Sequence, residues 1–142
     1  HLTLRTSVIG PELKTDGEEL FHWFMGQKGV IKGYTKAIWS GITTLELAKA
    51  IDWAINNDIK GLYHITNNKL INKYDLLKLL KKHTNKKVEI VECDKKNIDK
   101  SFIDTRKLIN YEIPNYEKMV IDMVKLIEKK SALYSQYILN KD

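Results

Sequence analysis

Tyr74 and Lys78 stand four residues apart in the stretch YDLLK. That spacing puts both side chains on one helix face, where a cation held against the phenol would favour its ionised form and suit it to proton transfer with a carbinol oxygen. Such chemistry also needs a glycine-rich turn for a dinucleotide, and the chain has neither G-x-G-x-x-G nor G-x-x-G-x-x-G. The pair is therefore expected to be ordinary helix neighbours, with Tyr74 packed in the first turn. His22, His64 and His83 lack a ligand spacing such as H-E-x-x-H, so no metal site is expected. His64 reads as a hydrogen-bonded histidine of a buried strand. Trp23 points off the apolar face of its segment and is a candidate for stacking on a ring. Lys81, Lys82, Lys86 and Lys87 read as a solvated face.

These residues need a scaffold, and 142 residues suffice for one domain with a core. The 43% apolar and 30% charged shares are those of a soluble globular chain. No apolar run reaches the ~20 residues of a membrane span. The chain opens at His1 with no charged-then-apolar leader, so no signal peptide is expected, and the missing start methionine suggests a piece of a longer protein. Cys93 is alone, so no disulfide framework is expected, and the cytoplasm is the expected compartment. The net charge of +6 is nearly all lysine, with only Arg5 and Arg106 offering a planar fork. The lysines are scattered along the chain, which argues against nucleic acid but suits a small anionic ligand.

Residues 40 to 66 are the organising stretch. Thr43 and Glu46 have capping-box spacing, and Leu45, Ala48, Ile51 and Ile55 form one apolar face of a helix. Asn56, Asn57 and Asp58 end that helix, and Gly61 opens a buried strand, Leu62 to Ile65. A helix feeding a strand is the second half of a βαβ crossover. Leu2 to Ile9 supplies the first strand, stopped by Gly10-Pro11. Thr15 and Glu18 offer a second capping box before a helix with Leu20, Phe21, Phe24 and Met25 on one face. Val30-Ile31 reads as a short strand and residues 33 to 40 as a loop. Asn72 and Asp75 cap a third helix with Leu76, Leu77, Leu79 and Leu80 inside. Val88 to Val91 alternates as a strand, and residues 92 to 103 read as irregular. Residues 104 to 108 are a candidate helical turn. Pro114-Asn115 starts a last helix with Tyr116, Met119, Val120, Met123, Val124 and Ile127 in one stripe. This gives an organised portion over 1–130 and a polar tail over 131–142, frayed or packed on a neighbour.

Several fragments, in order, resemble the C-terminal half of dTDP-4-dehydrorhamnose reductase and its relatives, the extended short-chain dehydrogenase/reductases. Arg5-Thr6-Ser7-Val8-Ile9-Gly10 is similar to the R-T-S-W-V-Y/G strand end of that family. Gly41-Ile42-Thr43-Thr44 with Leu47-Ala48 is similar to G-x-P-T-x-x-x-L-A, and Gly61-Leu62-Tyr63-His64 to G-x-Y-H. Lys73-Tyr74-Asp75 follows as W-Y-E does there. Ser101-x-x-Asp104-x-x-Lys107-Leu108 resembles the closing S-x-L-D-x-x-K-L. The ordered set spans residues 2 to about 128.

The resemblance implies an α/β fold, the C-terminal part of a Rossmann-type enzyme, with two sheet strands and the smaller substrate-binding lobe. It implies an NAD(P)-dependent reductase of a nucleotide-linked deoxysugar, using NADH or NADPH in the complete protein. Arg5 and Thr6 would border the cofactor; Ser7, Val8, Gly10, Trp23 and Ser101 would border the substrate. Two departures bear on the sugar: Val8 replaces the family's tryptophan, and Asn97-Ile98 replaces its Arg-Pro. The dinucleotide loop and the family's own Tyr-x-x-x-Lys belong to an absent N-terminal half. The chain alone is thus expected to have no catalytic residue and no dinucleotide binding, and to self-associate as a homo-oligomer. A non-catalytic regulatory or scaffolding relative and an independent basic nucleic-acid-binding module are the rival readings.

Overall fold

The structure is a computed structural model, and it describes residues 1–102 and 110–139. The order is β1 (Leu2–Arg5), β2 (Val8–Ile9), α1 (Leu20–Met25), β3 (Gly29–Tyr34), β4 (Ala37–Trp39), β5 (Ile42–Thr43), α2 (Thr44–Asn56), β6 (Gly61–His64), β7 (Ile71–Asn72), α3 (Lys73–Thr84), β8 (Val88–Cys93), β9 (Ile98–Lys100) and α4 (Tyr116–Lys129). Three pairings are parallel and two-stranded: β1 with β6, β2 with β5, and β3 with β8. Parallel strands cannot be joined by a tight hairpin, so each pair needs a long crossover. The β1–β6 crossover ends in α2, as the sequence order requires. A fourth sheet has the order β7-β4-β9, with β4 antiparallel to β7 and parallel to β9.

The helix starts follow the capping residues. Thr43 Oγ1 accepts the Glu46 N–H at 3.2 Å, Asn72 Oδ1 the Asp75 N–H at 2.7 Å, and Asn115 Oδ1 the Lys118 N–H at 2.8 Å. Each satisfies a donor that the first turn leaves without an intrahelical partner. Glu46 does not complete a capping box: its Oε1 accepts the Tyr111 hydroxyl at 2.7 Å instead. All six residues of the α4 stripe are buried, and Val120, Met123, Val124 and Ile127 share a cluster with Leu76, Leu77 and Leu80 of α3 and Phe21 and Phe24 of α1. Burying each such aliphatic side chain contributes about 1.5–3 kcal/mol. A second cluster gathers Ile42, Ile65, Ile113, Tyr116 and Met119, and Trp39, Ile71 and Leu79 touch both clusters.

Several sequence expectations are corrected. The strand expected over Leu2 to Ile9 is split, because Thr6 Oγ1 donates to the Ile65 carbonyl at 2.7 Å and turns the chain from β1 to β2. Thr15 and Glu18 cap nothing: α1 starts at Leu20, and its N-cap Glu19 makes no side-chain cap bond. The short strand at residues 30–31 extends to Gly29–Tyr34, and the supposed loop after it contains β4. Residues 98–100, read as irregular, form β9. The candidate turn at 104–108 lies outside the described residues. In the stretch from residue 131, Tyr137 packs on this chain's own Phe21 and His22, with ring centroids 5.2 and 5.6 Å apart. Its hydroxyl accepts the Glu12 N–H at 2.9 Å.

The largest correction concerns α2. Its buried residues are Glu46, Ala50 and Ala54, whereas Ala48, Ile51 and Ile55 face outward. Ile55 is 70% exposed, and on β6, expected to be buried, Leu62 is 56% exposed. Periodicity identified a stripe, but the small alanines, not the isoleucines, allow α2 to approach the rest of the chain.

Candidate functional site

A cavity of about 480 Å³ opens where the chain leaves β1. Its walls come from the β1–β2 junction (Ser7, Val8), the start of α1 (Glu19, Leu20), the end of β3 (Tyr34), β4, the start of α3 (Lys73, Leu76) and the β9 region (Lys96, Ile98, Lys100). Such crevices beyond the carboxyl ends of parallel strands are where open α/β sheets take ligands.

The central position of β4 determines which charges meet there. Asn72 of β7 pairs with Ile38 on one side, which sets Lys73 beside the cavity. Ile98 and Lys100 of β9 pair with Ala37 and Trp39 on the other side. Lysines 27 residues apart in sequence therefore face one opening. The Lys73 ammonium lies 5.2 Å from the Trp23 ring centre and 5.6 Å from that of Tyr34, and Lys96 lies 5.1 Å from Tyr34. Aromatic faces attract cations at these distances. Burial, and then repulsion from Lys96 and Lys100, holds the Lys73 ammonium below the usual lysine range. Three like charges around a half-buried opening raise the free energy of the empty cleft, and a bound anion lowers it.

The seven residues singled out in sequence are placed as follows. Ser7 and Val8 line the cavity, Val8 with 36% of its surface exposed. Trp23 stands over Lys73 and is 38% exposed. Arg5 is exposed at the end of β1, in register with His64. Thr6 is bonded to Ile65. Gly10 packs so tightly on α2 that a Cβ there would lie 2.1 Å from Thr44 Oγ1. Ser101 donates its N–H to Asp99 Oδ1 at 2.9 Å, just past the lining residue Lys100. The cavity thus unites Ser7, Val8 and, through Lys73, Trp23; Arg5, Thr6, Gly10 and Ser101 do not line it. Sequence reasoning missed Lys73, Lys96, Lys100 and Tyr34. The one signal was Lys73 standing where W-Y-E has its tryptophan, which puts a cation in place of a ring.

His64 is half-buried, with its ring edge-on to Phe102 at 5.3 Å. Lys78 lies over the Tyr74 ring at 5.0 Å, and neither residue lines this cavity. The residues present do not fit a whole dinucleotide. Its pyrophosphate needs free N–H groups at a helix start after a glycine turn. The starts of α2, α3 and α4 are each closed by their own side-chain cap. A Cβ at Gly41, the glycine before α2, would lie 2.2 Å from the Ser7 carbonyl oxygen, so that glycine serves internal packing. Among the described residues no group of three or more His, Cys, Asp or Glu side chains is placed to hold a metal, and no helix is long and apolar enough to cross a membrane.

No protein-family model and no curated protein sequence matches the chain. Solved structures do. The dTDP-4-dehydrorhamnose reductase of Bacillus anthracis, solved with NADP, superposes with a TM-score of 0.72 at 19% identity, over 89% of this chain and 48% of that one. The enzyme of the same name from Clostridium acetobutylicum gives 0.70 at 16% identity, over 88% and 48%. The UDP-N-acetylglucosamine 4-epimerase of Methanobrevibacter ruminantium, solved with UDP-N-acetylmuramic acid, gives 0.66 at 20% identity, over 91% and 46%. The chain therefore has the α/β fold found in part of these Rossmann-type, extended short-chain dehydrogenase/reductase structures, and it spans about half their length.

Proposed function

We propose that this chain is the substrate-side part of an NAD(P)-dependent oxidoreductase that reduces the 4-keto group of a nucleotide-linked deoxysugar. The observation that carries the reading is the convergence of Lys73, Lys96 and Lys100 on a cavity lined also by Ser7, Val8 and Tyr34, with Trp23 beside Lys73. A diphosphate linking nucleoside and sugar is an anion of the right kind for three ammonium groups. Ser7 and Val8 then face the sugar, with Gly10 and Ser101 shaping the wall behind them. Arg5 and Thr6 border the nicotinamide.

The dinucleotide and the group that donates the proton reside on a separate half with the glycine-rich turn, and NADH or NADPH enters with that half. This chain binds and orients the sugar nucleotide and is inactive alone. The half-length match to the neighbours supports this division. The solved complexes of two neighbours with NADP and with a UDP-sugar support the ligand classes. Domain limits of 1–130 with a tail at 131–142, and a cytoplasmic setting, belong to the same proposal.

The test is titration of the isotope-labelled chain with a dTDP-hexose, read by amide and indole shifts. Saturable shifts at Ser7, Val8, Trp23 and Tyr34, lost in Lys73→Glu, are expected. Absence of any shift in this cleft at millimolar ligand overturns the reading. In the complete two-part enzyme, Ser7→Trp should block turnover while the fold is retained.

A further inference from the structure

A second concavity, of about 850 Å³, lies on the opposite end of α3, between that helix and the start of β8. Lys78, Lys81, Lys82, Lys86 and Lys87 all line it, and Glu89 is the one carboxylate among its lining residues. We propose that this groove binds an oligophosphate chain, as an anion site separate from the sugar-nucleotide cleft.

The local fold forces the lysines together. Asn85 adopts a left-handed conformation (φ 54°, ψ 30°) that ends α3 and turns the chain back toward β8. Lys86 and Lys87 are thereby folded against the helix that carries Lys78, Lys81 and Lys82. The dipole at a helix C-terminus explains basic residues in the last turn, Lys81 and Lys82 among them. It does not explain Lys86 and Lys87, which lie beyond the helix, or Lys78, more than a turn before its end. Nor are these charges neutralised within the groove. Lys82 is paired with Glu117 at 2.7 Å, on α4. Lys86 donates to the Met25 carbonyl at 2.5 Å, yet burial and the neighbouring Lys28 hold its ammonium below the usual range. Among the described residues Lys78, Lys81 and Lys87 form no ion pair.

The composition selects the ligand. Lysine ammoniums are compact point charges that suit phosphate oxygens without reading planar geometry, and no arginine fork is present. The one aromatic ring in the lining, Tyr74, is already covered by Lys78, so no platform remains for stacking successive bases. A short run of linked phosphates, free or carried by a nucleoside triphosphate, matches both features. An extended single strand of nucleic acid does not.

Titration of the whole labelled chain with sodium tripolyphosphate at near-physiological salt tests this. Saturable amide shifts centred on residues 78–90 are expected, with affinity falling steeply as salt rises. Lys81→Glu/Lys87→Glu, at two exposed positions, should weaken binding in this groove at least tenfold, whereas Lys60→Glu, an exposed lysine lining neither cavity, should leave it unchanged. Equal affinity for ATP and tripolyphosphate assigns recognition to the phosphate chain; tighter ATP binding places the ligand on a nucleotide, still in this groove. Shifts confined to the Lys73 cleft, or no saturation by either ligand, overturn the proposal. So does tight binding of single-stranded RNA that tripolyphosphate cannot displace.

Discussion

The ammonium of Lys73 stands 5.2 Å from the centre of the Trp23 ring, so an aromatic side chain sits beside a lysine whose proton is held less firmly than usual. Trp23 fluorescence should therefore report the titration, with a midpoint below 10.5, and Lys73→Met should abolish that step. The sign for stability follows from the lowered pKa. Between the folded and unfolded midpoints the unfolded chain binds more protons, so this group adds stability as pH rises through that window. A midpoint at or above 10.5 would remove the repulsion from Lys96 and Lys100.

Tyr111→Phe leaves the 3% exposed Glu46 without the hydroxyl that donates to it at 2.7 Å. A hydrogen bond to a charged group is worth about 1.5–3 kcal/mol, and a loss of that order is expected in urea unfolding. An unchanged midpoint would mean that water replaces the phenol at no cost.

For Thr43→Ala the expected loss is about 1 kcal/mol, because α2 loses the oxygen that caps Glu46 N–H. Thr43→Ser should retain most of the stability. Equal losses in the two variants would assign the effect to the buried methyl group rather than to the cap.

The outward side of α2 leads to a prediction about association. Ile51, Ile55 and Leu62 are 40%, 70% and 56% exposed, and among the described residues the outer edges of β1 and β6 have no strand beside them. Parallel pairs are ordinarily covered on both faces, and open edges recruit partners. Two copies are expected to bury this surface at micromolar concentration, and Ile55→Lys should return the chain to a monomer. Sedimentation equilibrium decides; a stable monomeric parent would overturn the prediction and show that the chain closes its own core.

Local signals carried much of this fold in the sequence. Thr43, Asn72 and Asn115 cap helices because a side-chain oxygen three residues before an N–H needs only local geometry. The α4 stripe was legible because its whole apolar face is covered. Alternation and periodicity failed where tertiary placement decides. Ile51 and Ile55 have helical spacing but face outward, while Glu46 is buried and bonded to Tyr111, 65 positions away. Ile98, Asp99 and Lys100 are all exposed and show no alternation of buried and exposed positions, so β9 exists only through its pairing with β4. For the same reason Ser7 and Val8 could be singled out from a strand end, but Lys73, Lys96 and Lys100 could not be seen as a group.

The parallel pairing of β1 with β6 also dictates when the molecule can begin to assemble. Thr6 closes on Ile65 across 59 residues, and Gly29 joins Val88 over a similar span. Contacts this distant in sequence slow folding, because loop closure precedes any reward from pairing. On a ribosome adding ~5–20 residues per second, β1 emerges several seconds before its partner exists. During that interval Leu2 and Leu4 are made but still lack the β6 residues, Gly61 and Tyr63, that they pair with in the folded chain.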